Sequence, residues 1–350
     1  MGESVVKLPI SRICRAVGFL QDQTLLGIIM KSAIFFALSA VAAAAMAAGP
    51  TTPASITIGT TGISTQNASI SSSVVSNTSS AATTALQNVS SNAGSITIDG
   101  SSKQNTVTNG GTIKNESVNS LDFANQNVAS NAGKVTIAKG AKSEQDAFLT
   151  RTAVSNSASG GRSEALQNIS SNKGDVTIKG VSHQTTRSSG DAISNESTGL
   201  QSIATQNMSS NNGKITVGSG ATSDQNVNSS SSTFMNKAKG ALSTATQSLA
   251  SNEGPVAING LSKQLVDSKN AMVGNYANGF GSVASQNLSS NYGKVLVAGS
   301  SIQTTFLSAG STVTNTANGS FSHAAQNIAS NDACNEPQMP LDPCPTCTRN

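Results

Sequence analysis

The stretch Thr84-Ala85-Leu86-Gln87-Asn88-Val89-Ser90-Ser91-Asn92-Ala93-Gly94-Ser95-Ile96-Thr97-Ile98-Asp99-Gly100 decides the fold. Ala85, Gln87 and Val89 alternate to one face, and Asn92 and Gly94 mark a turn. Ile96 and Ile98 then resume the period of two that a half-buried strand requires. The segment recurs six more times. Its Gln falls at Gln87, Gln126, Gln167, Gln206, Gln247, Gln286 and Gln326, at intervals of 39 to 41 residues. Ala stands two residues before each, and Val, Ile, Met or Leu two residues after. Nine and eleven residues beyond the first six come apolar pairs, from Ile96 and Ile98 to Val295 and Val297.

A second Gln series is interleaved with the first, at Gln66, Gln104, Gln145, Gln184, Gln225, Gln264 and Gln303, each with Ser two residues before it. The same offsets lead to an apolar residue and then to Asn77, Asn115, Asn156, Asn195, Asn236 and Asn275. Only after Gln303 does the register slip by one, to Val313 and Asn315. Each repeat of about forty residues therefore consists of two related half-repeats. From first-series to second-series Gln the spacing is 17, 19, 17, 19, 17 and 17 residues, which puts the tolerated insertion in a turn near Gly100 or Gly140.

A half-repeat offers a handful of inward side chains, worth about 1.5 to 3 kcal/mol for each large apolar one. Ordering the backbone costs about 1 to 2 kcal/mol per residue, so a single unit does not fold alone. Stacked on copies of itself, each strand gains main-chain hydrogen bonds above and below, and amides at equivalent positions line up as ladders. The fourteen Gln and the six Asn from Asn77 to Asn275 are the expected ladder residues. A flexible linker of Ser, Asn and Gly would not hold two interleaved registers. The expected fold is all-β, a stacked β-arch or β-solenoid array of cross-β type, with about seven 39–41-residue repeats of two half-repeats each. Because the half-repeats differ at the +11 position, apolar in one and Asn in the other, like stacking on like favours a 40-residue layer over a 20-residue one. The quoted stretch then reads as an arch whose two strands pair with copies in other layers.

Composition agrees with an array rather than a globule. The chain has no Trp, two Tyr and nine Phe, with 11% charged residues, too few large side chains for a conventional core of this length. From residue 48 onward, 17 Lys or Arg face 15 Asp or Glu, and no basic cluster is interleaved with aromatics, so nucleic acid is not an expected partner. Residues 30–47 have a basic start, an apolar run and an Ala45-Met46-Ala47 end that fits cleavage of a secretory signal before Ala48. Residues 1–29 are either a misassigned start or an extended n-region carrying Lys7, Arg12 and Arg15. The repeat region spans 48–333. A tail over 334–350 breaks the repeat with four Pro and carries Cys334, Cys344 and Cys347, a disulfide with one free thiol or a redox pair, of which a disulfide is the default in an exported protein. His183 and His323 sit at unlike positions and the carboxylates are scattered, so no catalytic set, metal site or cofactor is expected, nor a small-molecule substrate.

With its leader, repeats such as Gln206-Asn207-Met208-Ser209-Ser210-Asn211-Asn212-Gly213-Lys214-Ile215-Thr216-Val217, and a terminal Cys344-Pro345-Thr346-Cys347, the chain resembles the bacterial functional amyloids. The likeness is to the Fap fibril-subunit family above all, and more distantly to the curli subunit. The resemblance implies a secreted structural protein that forms an extracellular fibre of the biofilm matrix or cell surface after passing the periplasm. It further implies self-association into a homopolymer, with a nucleating minor subunit and an outer-membrane export pore as partners. The other function considered is a monomeric β-solenoid adhesin that presents one regular face to a glycan or surface. For that reading Thr97, Thr136, Thr177 and Thr216 align, while Ala257 and Leu296 break the row.

Overall fold

The computed structural model describes residues 55–80, 84–118 and 122–332, and every regular element among them is a strand. The expected secretory leader and the cysteine-bearing tail lie outside the described residues. The first layer consists of the strands Ser55–Ile58, Ile63–Ser71, Val74–Ser80, Thr84–Val89 and Asn92–Ala93. The second repeats the set as Ser95–Ile98, Ser101–Asn109, Thr112–Val118, Phe123–Val128 and Asn131–Ala132. Five more layers follow, ending at Asn331–Asp332. The result is five parallel sheets of seven strands, named here first to fifth in the order in which a layer visits them. One layer is one forty-residue repeat. At about 4.8 Å per strand, the rod is about 30 Å long.

Pairing is strictly in register, so Thr97 lies between Thr57 and Thr136, and Gln126 between Gln87 and Gln167. The Thr84 to Gly100 stretch is an arch, as its alternation predicts. Its first strand pairs with Phe123–Val128, and its last pairs with Ser55–Ile58 and Val135–Ile137. The two half-repeats occupy different sheets and never stack on each other, because Asn and Ile at the +11 position face different surroundings. One contributes the second and third strands of a layer, and the other contributes the fourth strand and the first strand of the next layer.

Three interior zones run along the rod. Ile, Val, Leu, Met and Phe from the second, third and fourth sheets meet in one continuous column, including Ile70, Ile113 and Val128. The first sheet turns Ile96, Ile98, Val135 and Ile137 into a second. Between the third and fourth sheets, alanines such as Ala238 and Ala245 pack together. The invariable Ala two residues before each first-series Gln thus reflects the narrow gap between these two sheets.

The corners explain the remaining constants of the repeat. After the fourth strand, Ser90, Ala129, Ser170, Ser209, Ala250, Ser289 and Ala329 all take a positive φ of 47–50°. The following Ser closes the bend, as in Ser91, whose hydroxyl donates to the Val89 carbonyl at 2.9 Å and accepts the Ser130 amide at 3.0 Å. Two residues after the fifth strand begins, a glycine with φ of 111–131° recurs from Gly94 to Gly293. A Cβ on Gly174 would fall 2.1 Å from the Gly133 carbonyl oxygen, so this column closes only if it is glycine throughout.

Length variation is confined to turns. The first and second strands are joined by two residues in the second layer, at Asp99 and Gly100, and by four in the third, at 138–141. The one-residue slip after Gln303 is absorbed at 309–311, where the other described layers join their second and third strands with two residues, so that Asn275 and Asn315 still pair. Gly174→Ala is expected to lower the denaturant midpoint more than Gly220→Ala. Gly220 also has positive φ, but its Cβ would meet nothing within 4 Å, so its cost is about 1 kcal/mol of backbone strain. Equal midpoints for the two variants would refute the close-approach argument.

Candidate functional site: amide ladders and open end layers

The first Gln series forms an unbroken ladder. Each Nε2 donates to the Oε1 of the layer before it, from Gln126 to Gln87 at 2.8 Å through to Gln326 and Gln286 at 2.6 Å. In Gln87, Gln126, Gln167 and Gln206 the second Nε2 hydrogen goes to a backbone carbonyl of the third sheet, as in Gln167 to Ser194 at 3.1 Å. That second bond fixes the orientation of the amide, since a flipped Gln would set oxygen against oxygen.

The third-sheet Asn form a ladder of opposite direction. Asn77, Asn115, Asn156, Asn195, Asn236 and Asn275 each donate to the Oδ1 of the following layer at 2.8 Å. They also donate to fourth-sheet carbonyls, as Asn156 does to Leu166 at 2.9 Å. The two ladders therefore zip the third and fourth sheets from both sides across the alanine seam.

The second Gln series is placed differently from the expected ladder. Gln66, Gln104, Gln145, Gln184, Gln225, Gln264 and Gln303 donate across the interior to Asn of the fifth sheet, at 2.5–3.0 Å. From Gln184 onward the other hydrogen is also taken, by a carbonyl such as that of Ser210. No N–H is left for the next rung, and Oε1 of the first six has no partner. The ladder here belongs instead to Asn92, Asn131, Asn172, Asn211, Asn252, Asn291 and Asn331, joined at 2.6–2.9 Å. By sequence alone Asn92 reads as a turn marker. The signal was present, since Asn follows every first-series Gln by five residues.

A further ladder was also missed, at Asn88, Asn127, Asn168 and Asn207, resuming with Asn287 and Asn327. Ser248 occupies the gap and turns its hydroxyl to Glu253 at 2.8 Å. In consequence the Asn207 Oδ1 and the Asn287 Nδ2 are buried without partners.

Charge is handled column by column. On the outside of the second sheet, Lys103, Glu144, His183, Asp224 and Lys263 follow one another in register. Lys103 lies 3.5 Å from Glu144, and His183 Nδ1 lies 3.5 Å from Asp224. Lys142 also pairs with Glu144, and together with Lys103 it holds that carboxyl below the usual carboxylate range. In the fifth sheet burial pushes Lys173 down to about 8, against the pull of Glu164 and Glu253, and it raises both of those carboxyls.

Among the described residues, the first and last strands of every sheet pair on one side only. Large apolar side chains are exposed there, including Ile63 at 80% and Val74 at 72% in the first layer, and Leu296 at 62% and Phe306 at 58% in the last. The site is thus a pair of strand-edge surfaces carrying amide ladders, without a cleft holding convergent reactive groups among the described residues. Compared with models of known families, with characterised proteins and with solved structures, the chain matches none.

Ser248→Asn is expected to complete the interrupted ladder and raise stability by about 1 kcal/mol, read as a higher denaturant midpoint. A fall would show that the Ser248–Glu253 bond outweighs two orphaned amide atoms. Lys173 sets a second expectation. With its pKa lowered from 10.5 to about 8 in the fold, the unfolded chain binds more protons between those values, so stability rises with pH over that window. Lys173→Ala, which places there the residue that Ala93 and Ala132 already supply, should remove this rise in a pH series of unfolding curves.

Proposed function

We propose that this protein is a self-assembling structural subunit of an extracellular amyloid-like fibre, serving a biofilm matrix or cell-surface adhesion. The β-solenoid repeat is compatible with a structural or adhesin-like role. The observation that carries the finer reading is that both end layers present unpaired strand edges, among the described residues, with the same amide columns that join every internal pair of layers. An open edge of this kind templates pairing with another chain. The secretory leader and the likeness to the Fap subunits support export and assembly outside the cell.

A second reading has one observation in its favour. Thr57, Thr97, Thr136, Thr177 and Thr216 stack in register on the outside of the first sheet, a regular row that a glycan or other surface could meet. Ala257 and Leu296 interrupt it in the sixth and seventh layers, which ranks it below assembly. The purified chain from Ala48 is expected to form fibres whose diffraction shows a meridional reflection near 4.8 Å. A stable monomer at high concentration, binding polysaccharide through the Thr row, would overturn the fibre reading in favour of the second.

A further inference from the structure

The distribution of charge along the rod is not that of a protein guarding its edges. Residues 99–294, which fill the inner five layers and their turns, hold sixteen Lys or Arg and twelve Asp or Glu. The first layer, 55–93, holds none. The last, 295–332, holds only Asp332, at its final position. Soluble β proteins commonly place Lys or other charges on exposed edge strands to prevent pairing with other chains. Here charge, Asp332 apart, is withheld from the two layers whose edges are open among the described residues. Ten of the sixteen exposed large apolar residues lie in those same two layers.

The two end surfaces also match each other. Continuing the in-register rule by one layer sets Ile58 on Val297, Val89 on Ile328, Gln87 on Gln326 and Asn92 on Asn331, the residue types that meet at every internal layer boundary. Direction is fixed by the ladders. First-series Gln donate toward the preceding layer, and fifth-sheet Asn donate toward the following one. The last layer therefore offers a Gln326 acceptor where a first layer brings the Gln87 amide hydrogens, and an Asn331 donor where it brings the Asn92 oxygen. Two first layers face to face would both present the Asn77 Oδ1 acceptor and would run their strands antiparallel, against the parallel in-register pairing of every internal boundary.

We propose that the partner of these end surfaces is a second copy of this chain, the first layer of one docking in register on the last layer of another. The assembly is then a polar, open-ended stack, because a heterologous contact without rotation back to its start does not close. This rests on the self-assembly reading and adds to it which surfaces join, in which direction and in which register.

The test uses nitroxide labels on two outward positions of one column, Thr65 in the first layer and Ile302 in the last, as T65C and I302C in chains whose four native cysteines are replaced by Ser. Fibres grown from a mixture of the two labelled chains are expected to show strong spin–spin broadening, with labels about 5 Å apart in backbone spacing. Fibres of either labelled chain alone should not, since like labels are then seven layers, about 34 Å, apart. Broadening in the single-label fibres would overturn the polar order while leaving fibre formation intact. Fibres with no broadening in any sample would overturn the end-layer contact. Failure of all samples, and of the unlabelled chain, to form fibres would overturn the self-assembly reading itself.

Discussion

In-register parallel stacking sets every side chain on its counterpart one layer away, at about 4.8 Å, and this constraint governs which residues the chain can use. An amide tolerates its own image, because it carries both donors and acceptors and one Gln answers the next. A small or branched apolar residue tolerates it equally well. A charge does not, since like charges directly opposite on neighbouring strands are destabilising. The low charge and the excess of Asn, Gln, Ser and Thr follow from this geometry. Where charges do occur, the second-sheet column shows the solution, with Lys103, Glu144, His183 and Asp224 placed so that no two like charges are adjacent.

The same constraint applies to the backbone at corners. A residue with positive φ is a local cost in a single turn, yet here it is repeated at the same corner of every layer, because a layer that bent elsewhere would lose its hydrogen bonds to both neighbours. The close approach of Gly174 to Gly133 is one consequence. The Ser following each bend is another, its hydroxyl tying one layer to the next through the amide of the following Ser. Polar corners thus contribute to stacking rather than merely allowing the chain to turn.

Much of the fold was legible because the stacking constraint writes itself into the sequence as a period. The Ala-x-Gln-x-apolar segment, its apolar pairs and the difference between half-repeats were enough to give strands, arches and a forty-residue layer. What was misread is the pairing within a layer. Gln66 and Gln87 have the same period and similar flanks, and yet only Gln87 bonds to its own kind. The difference lies in what faces each of them. Gln87 faces third-sheet backbone carbonyls, whereas Gln66 faces the Asn92 column and gives it a hydrogen. Periodicity reports which residues stack but is silent on what lies across the interior, so the Asn92 ladder passed as a turn. The Ser248 gap was invisible for a related reason, as Ser and Asn are near equivalents in such a composition until a ladder makes them unequal.

A stack of near-equivalent layers has stability that grows by one interface for each layer added, and it carries the cost of two unpaired ends whatever its length. Nothing in the interior columns distinguishes a seventh layer from an eighth. The Gln ladder at Gln326 closes no differently from the way it passes Gln206, and Val295 caps the first-sheet core no better than Val135 continues it. Length must therefore be limited at the ends or not at all. Monomeric repeat proteins limit it with polar outer faces on their capping repeats. Among residues 55–332 the charges, Asp332 apart, lie in the five layers that already have neighbours on both sides. The end layers keep the amides and apolar residues that another layer would satisfy, so joining two ends recovers an interface that the fold has already made six times.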